Sequence, residues 1–156
     1  MTPNYTVAEY MQTDVVSIPD TATLRESIRL MVEKNINSLV VVDASSTVVG
    51  MLSSIDVISY VVPDYLEEDK HLAAFESRDV FAERVQEIGN QPITKSMSAQ
   101  VKTIKASHTL IEAAALLSEH RINQLPVVDD HGKLIGYIGR SSVKKAIGDV
   151  FAEHPE

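Results

Sequence analysis

Residues 36–43 read INSLVVVD and residues 122–129 read INQLPVVD, eighty-six positions further on. Each octet is too short and too continuously apolar for a surface helix, and its valines favour a strand buried on both faces. The match extends outward from both ends. A shift of 86 residues lays 7–57 on 93–143 without a gap, with 16 of the 51 positions identical. An ungapped self-match of that length means one structural unit used twice.

The identities fall where local structure needs them. Thr23-Leu24-x-Glu26 and Thr109-Leu110-x-Glu112 are capping boxes, in which the hydroxyl and the carboxylate satisfy backbone N–H groups left free at a helix start. Leu24, Ile28 and Met31, and Leu110, Ala114 and Leu117, follow at helical spacing, so each repeat is expected to bury one stripe of an amphipathic helix along those residues. Behind the octets come turns. DDHGK at 129–133 offers Gly132 for a positive φ, and DASSTV at 43–48 is a looser version of it. VVGMLS and LIGYIG then read as return strands, and SIDVISYVV and SSVKKAIGDV as closing helices. With the extended segments VVSI and VKTI ahead of the first helices, the unit is β-α-β-β-α and the fold class α+β.

Residues 63–92 lie between the copies. They start at Pro63, pass through the acidic DYLEEDK and end in GNQP. Leu66, Leu72, Phe75, Phe81, Val85 and Ile88 are spaced as in one or two helices, which predicts an ordered helical insertion and not a flexible linker. Tyr65 and the phenylalanines are the residues it would bury, on its own chain or against a partner. The expected organisation is repeat 1 at 1–62, the connector at 63–92 and repeat 2 at 93–150.

Bulk properties remove several function classes. A chain of 156 residues can bury a real core. No apolar run approaches 18 residues and no basic stretch leads into an apolar one, so a chain without a membrane span, soluble and cytoplasmic, is expected. The absence of cysteine excludes disulfides, thiolate catalysis and cysteine-ligated metal centres. The Asn4-Tyr5-Thr6 sequon then reads as chance. A net charge of −8, with no basic cluster longer than Lys144-Lys145, argues against nucleic acid as a partner. His71, His108, His120, His131 and His154 lack metal-ligand spacing, and the carboxylates of 64–69 read as a solvated helix face sooner than a cation site. No serine elbow, zinc-protease helix or phosphate-binding loop is present. Neither catalysis nor a cofactor is expected.

Two such units carrying IN-LPVVD and the pattern G-h-h-S-x-x-D, where h is apolar, resemble tandem CBS domains, the cystathionine-β-synthase-type repeats whose pairs are called Bateman modules. The resemblance covers about residues 1–150. It implies two repeats packed with pseudo-twofold symmetry into one module, acting alone as a regulatory sensor that binds AMP, ADP or ATP in a cleft between repeats. The alternative it leaves open is a dimerisation or docking module whose nucleotide sites have degenerated. It further implies a homodimer, formed through closing helices that expose Val57, Val61, Val143 and Ile147, and a regulated protein still unidentified.

The resemblance also implies a site. Residues 50–57 read GMLSSIDV and residues 136–143 read GYIGRSSV. In the family the Asp of this motif, at the start of the last helix, accepts hydrogen bonds from ribose hydroxyls, a role that falls here on Asp56 with Ser53 and Ser54 beside it. A carboxylate suits two adjacent donors. Gly139 and Ser142 occupy the matching places in the second copy, whose cleft is therefore expected to bind weakly or not at all. Carried over position by position, adenine would lie against Ile122, Asn123 and Gln124, walled by Met97 and Lys102 with Met51 below the ring. Asn37 and Ser38 would sit where phosphates point, and Arg140 would be the phosphate cation. Each residue also has a reading without ligand: Asp56 as a first-turn helix charge, Ser53 and Ser54 as helix caps, Asn37 and Asn123 as the residues that fix the helix-to-strand turn.

Overall fold

The structure is a computed structural model that describes residues 3–156, so the first two residues of repeat 1 lie outside the description. It divides into two compact units. One, the amino-repeat unit, comprises Ser17–Asp43 and Val49–Ala99; the other, the carboxy-repeat unit, comprises the chain up to Val16, Ala44–Val48 and Gln100–Glu156.

The amino-repeat unit is built on a three-stranded sheet, β1 (Ser17–Pro19), β2 (Ser38–Val42) and β3 (Val48–Ser53), with β2 in the middle. β1 and β2 run parallel, Ile18 facing Val41, so helix α2 (Leu24–Lys34) is the crossover that parallel strands require. Both predicted bonds of its capping box are present, Glu26 N–H to Thr23 Oγ1 at 3.3 Å and Thr23 N–H to Glu26 Oε2 at 3.2 Å. Asn35, at φ 52, closes α2 in the left-handed conformation that helix ends favour. Helix α3 (Ser54–Val61) follows β3 directly. The octet strand behaves as expected, with Leu39, Val40 and Val41 fully buried.

The connector is helical: α4 (Asp64–Glu68), a 3₁₀ segment Lys70–Phe75 and α5 (Asp79–Ile88). Arg84 of α5 donates to the carbonyls of Val61 at 3.0 Å and Tyr60 at 2.9 Å, satisfying acceptors that the end of α3 leaves open. Leu66 and Ile88 are buried, but Tyr65, Phe75 and Phe81 are 51%, 85% and 70% exposed. The chain itself therefore does not cover these aromatic residues, and of the two expected ways of burying them only the one against a partner stays open.

In the carboxy-repeat unit β4 (Gln124–Val128) and β5 (Leu134–Gly139) pair antiparallel, and Ile104 bridges Val127 in parallel at the place that corresponds to Ile18 and Val41. Helices α6 (Leu110–His120) and α7 (Arg140–Glu153) complete it. The turn between β4 and β5 has Gly132 at φ 78, and its looser counterpart places Ser46 at φ 65. Leu134 N–H donates to Ser46 O at 3.1 Å, joining the two turns.

Two expectations about helix faces need correction. The buried stripes are Leu24, Ser27, Met31 and Leu110, Ala113, Leu117, so Ile28 and Ala114 point away from the stripe assigned to them. Val57, expected to be exposed on a closing helix, is 5% exposed; Val61 and Val143 are half-buried, and of the four only Ile147 stands clear. The strands turn α3 and α7 so that this valine row faces inward.

A second device is invisible to a linear reading. The segment leading into repeat 1 packs in the carboxy-repeat unit, where helix α1 (Val7–Tyr10) donates Val7 N–H to His108 O at 2.8 Å and Leu110 N–H donates to Tyr5 O at 2.8 Å. The segment leading into repeat 2 packs in the amino-repeat unit by the same bonds, Ile93 N–H to Ala22 O at 3.1 Å and Leu24 N–H to Gln91 O at 3.0 Å. Val7 and Ile93 are both fully buried. Each unit is thus one repeat closed by the leader of the other. Among the described residues no helix is long and apolar enough to cross a membrane.

Candidate functional site

In the amino-repeat unit β3 ends on Ser53 and α3 begins at Ser54. Ser53 is the helix cap: its Oγ accepts Asp56 N–H at 3.3 Å, and Asp56 Oδ2 accepts Ser53 N–H at 2.8 Å. The two residues that mark the motif are therefore a capping box in their own right. Asp56 Oδ1 makes no hydrogen bond among the described residues, and the side chain is only half-buried. Ser54 is the first helical residue and not the cap. Its N–H donates to Asn37 O at 2.8 Å and its Oγ lies 3.4 Å from Asn37 Oδ1. Both of these Asn37 contacts go to the α3 N-terminus, with Ser38 half-buried at the start of β2.

Met51 and Met97 belong to the same unit, on β3 and on the leader that pairs with it. Met51 and Ser98 exchange backbone hydrogen bonds at 2.9 Å each way, and a Cβ on Gly50 would stand 2.6 Å from Met97 Sδ. The Met97 thioether could swing aside, but the Ser98 carbonyl oxygen would stand 3.0 Å from the same Cβ, so a glycine at 50 eases the close approach of the leader to β3. One residue before Met97, the Ser96 hydroxyl is buried without a hydrogen-bond partner among the described residues. A buried hydroxyl left unpaired carries a free-energy cost that a ligand could relieve. Sequence reasoning passed Ser96 over, because nothing in its neighbours announces burial.

The carboxy-repeat unit repeats the frame without the chemistry. Asn123 O accepts Arg140 N–H at 3.1 Å, as Asn37 O accepts Ser54 N–H. Gly139 is the cap of α7 and offers no side-chain bond. A Cβ there would stand 2.7 Å from Asn123 O. Ser142, in the place of Asp56, is 4% exposed. Ile122 and Gln124 are half-buried at the head of β4, while Asn123, Lys102 and Arg140 are exposed. Arg140 lines a groove between α6 and α7 with Arg121 and Lys144. Within the units, then, the structure groups Asn37, Ser53, Ser54 and Asp56, sets Met51 against Ser98 and Met97 against Gly50, and sets Asn123 against Gly139 and Arg140. Among the described residues no group of three or more histidine, aspartate or glutamate side chains could hold a metal ion.

The CBS domain family model matches residues 7–63 and 85–149. Homoserine O-acetyltransferase of Methanocorpusculum labreanum is 30% identical over 133 residues, which are 85% of this chain but 22% of that enzyme. The chain spans about a quarter or less of the first curated relatives it matches, all homoserine O-acetyltransferases. The chloroplastic CBS domain-containing protein CBSX2 of Arabidopsis thaliana is 26% identical over 150 residues, 91% of this chain and 63% of that one. The crystal structure of CBSX2 in complex with AMP superposes with a TM-score of 0.72 at 26% identity, covering 94% of this chain and 98% of the other.

Proposed function

The chain belongs to the CBS domain family as a tandem pair of its repeats, and from that premise we propose that it senses an adenine nucleotide without transforming it. The observation that carries the reading is the pair Ser53 and Asp56 at the β3–α3 junction, where one oxygen of the carboxylate holds the helix cap and the other is unengaged. A half-buried carboxylate oxygen without a donor suits ribose hydroxyls, and charge-assisted bonds of this kind are about twice as strong as neutral ones. Met51 and Met97 supply soft apolar contact for a base, and the unpaired Ser96 hydroxyl lies next to Met97 in sequence. Ile122, Asn123 and Gln124 read the base edge, Lys102 walls the base, and Asn37, Ser38 and Arg140 meet phosphate. The solved complex of CBSX2 with AMP supports the ligand class. The protein acts as a homodimer that relays occupancy to a regulated protein.

One observation favours the second reading, a docking module without ligand: the capping box explains Ser53 and Asp56 by helix stability alone. Titration calorimetry of the nucleotide-free protein against AMP, ADP, ATP and S-adenosylmethionine separates the two. Saturable binding of at least one is expected; no binding of any supports docking.

A further inference from the structure

Helix α5 of the connector is covered at one end. Phe81, Val85 and Ile88 recur at helical spacing and share one face. Ile88 is buried, and Arg84 ties the same end of the helix to the carbonyls of Tyr60 and Val61. Val85 is 38% exposed and Phe81 stands in solvent. The apolar stripe that a surface helix normally buries is thus left open toward its start. The segment ahead of α5 repeats the pattern: Leu66 is buried, while Tyr65, Leu72 and Phe75 are exposed. Its backbone is nonetheless held, with Tyr65 Oη donating to the Glu76 carboxylate and Asp69 accepting His71 N–H at 3.0 Å. The bond to Glu76 raises the Tyr65 phenol, and Arg84 is close enough to oppose that rise, which sets α4 beside α5. Aromatic and aliphatic side chains exposed on neighbouring short helices form the kind of patch that marks an interaction site.

Charge decides what fits this patch. Residues 63–92 carry eight carboxylates and three cations, a net −5 of the chain's −8. Asp64, Glu67, Glu68, Asp79 and Glu83 make no ion pair among the described residues. We propose that the connector's exposed aromatic face docks a basic amphipathic helix of the regulated protein, its apolar side on Phe75 and Phe81 and its Lys or Arg residues against these carboxylates. This rests on the proposed function only in taking the occupant to be the regulated protein of that reading. A helix with cations flanking an apolar stripe meets both features of the surface at once. The other occupants are opposed by the same charge. The connector of a second copy would bring net −5 against net −5, a repulsion that selects against self-pairing there. An anionic lipid surface or a phosphate backbone is repelled in the same way. An uncharged apolar partner would strip water from the carboxylates and return no counter-charge.

The probe is a synthetic, fluorescently labelled peptide about four turns long, with leucine on one helical face and lysine on the other. It is titrated by anisotropy into the nucleotide-free full chain. Saturable binding is expected. Phe75→Ser with Phe81→Ser should weaken it at least about tenfold, as should Glu68→Lys with Glu83→Lys. Replacing the peptide's lysines by glutamate should weaken it as much. All four changes lie at exposed positions, so both variants should keep the circular dichroism and thermal midpoint of the wild type. No binding by the wild type, equal binding by the Phe75→Ser and Phe81→Ser variant, or equal binding of the glutamate peptide overturns the proposal. So does wild-type cosedimentation with phosphatidylglycerol vesicles that the two serine changes abolish, which would make the occupant a membrane. A peptide-free dimer that falls to monomer in the same variant would make it a second copy, and overturns it too. AMP titration is read separately. A chain that binds the peptide but no nucleotide loses the sensor reading and keeps this surface; one that binds AMP but not the peptide does the reverse.

Discussion

A Cβ on residue 139 would stand 2.7 Å from the carbonyl oxygen of Asn123, the oxygen that already accepts the Arg140 N–H at 3.1 Å. In the second copy the backbone thus leaves no room for a side chain at the position that Ser53 fills in the first. Gly139→Ser forces that carbonyl aside, an overpacking that costs about 1–3 kcal/mol. Ser142→Asp adds a carboxylate at a position 4% exposed, where an unpaired charge is expensive. Writing both changes into the chain should therefore lower the thermal midpoint and leave nucleotide stoichiometry unaltered. A second molecule bound per chain by the double variant would show that the α7 N-terminus yields more easily than its packing indicates.

The exchange of leader segments makes folding of the repeats mutually dependent. Val7 is fully buried in the cluster that includes Leu110, Ala113, Leu117 and Ile138, so Val7→Ala should destabilise by about 1–3 kcal/mol. A fragment of residues 100–156 lacks this closure and should be largely unfolded by circular dichroism. Adding a peptide of residues 3–16 should restore helix signal; a fragment that is cooperatively folded without the peptide would contradict the arrangement.

Tyr10 and Tyr5 latch the leader to α7, with Tyr10 Oη donating to Asp149 Oδ2 at 2.9 Å and Tyr5 Oη donating to Glu153 Oε2 at 2.9 Å. Desolvation and the bond to Asp149 push the Tyr10 phenol from its ordinary 10.0 up to about 12. A raised value means folding favours the protonated phenol, so its contribution is intact below pH 10 and is lost as pH rises toward about 12. Asp149 moves the other way, lowered first by Tyr10 and then by Lys145, and its contribution fades as pH falls through its depressed value. Phenolate absorbance should show Tyr10 ionising late, and Tyr10→Phe should remove that late component and flatten the alkaline loss of stability.

Much of this was legible in the chain. The octets at 36–43 and 122–129 and the two capping boxes place β2, β4, α2 and α6, because local patterning and tertiary burial agree there. Helix facing was less legible: Ser27 and Ala113 are small enough to be buried against a strand while Ile28 is left outward, and hydrophobicity alone ranks those positions the wrong way. The connector aromatics were legible only in part for the same reason, since a phenylalanine at helical spacing does not say whether its own chain or a partner covers it. At the site, Ser53 and Asp56 stood out by their loss from the second copy. The leader exchange and the unpaired Ser96 depend on contacts between residues far apart in sequence, which no spacing rule reports.

In the proposed function Asp56 holds the ribose of one adenine nucleotide per chain. Calorimetric titration of AMP into wild type and Asp56→Ala tests it most directly. Losing an acceptor that meets two hydroxyls should weaken binding by about 1.5–3 kcal/mol, tenfold or more, while loss of its half of the capping box costs the fold about 1 kcal/mol and leaves the variant folded. One AMP per wild-type chain and at least tenfold weaker binding to folded Asp56→Ala are expected. A wild type that binds no AMP, or an Asp56→Ala protein that binds it unchanged, would contradict it.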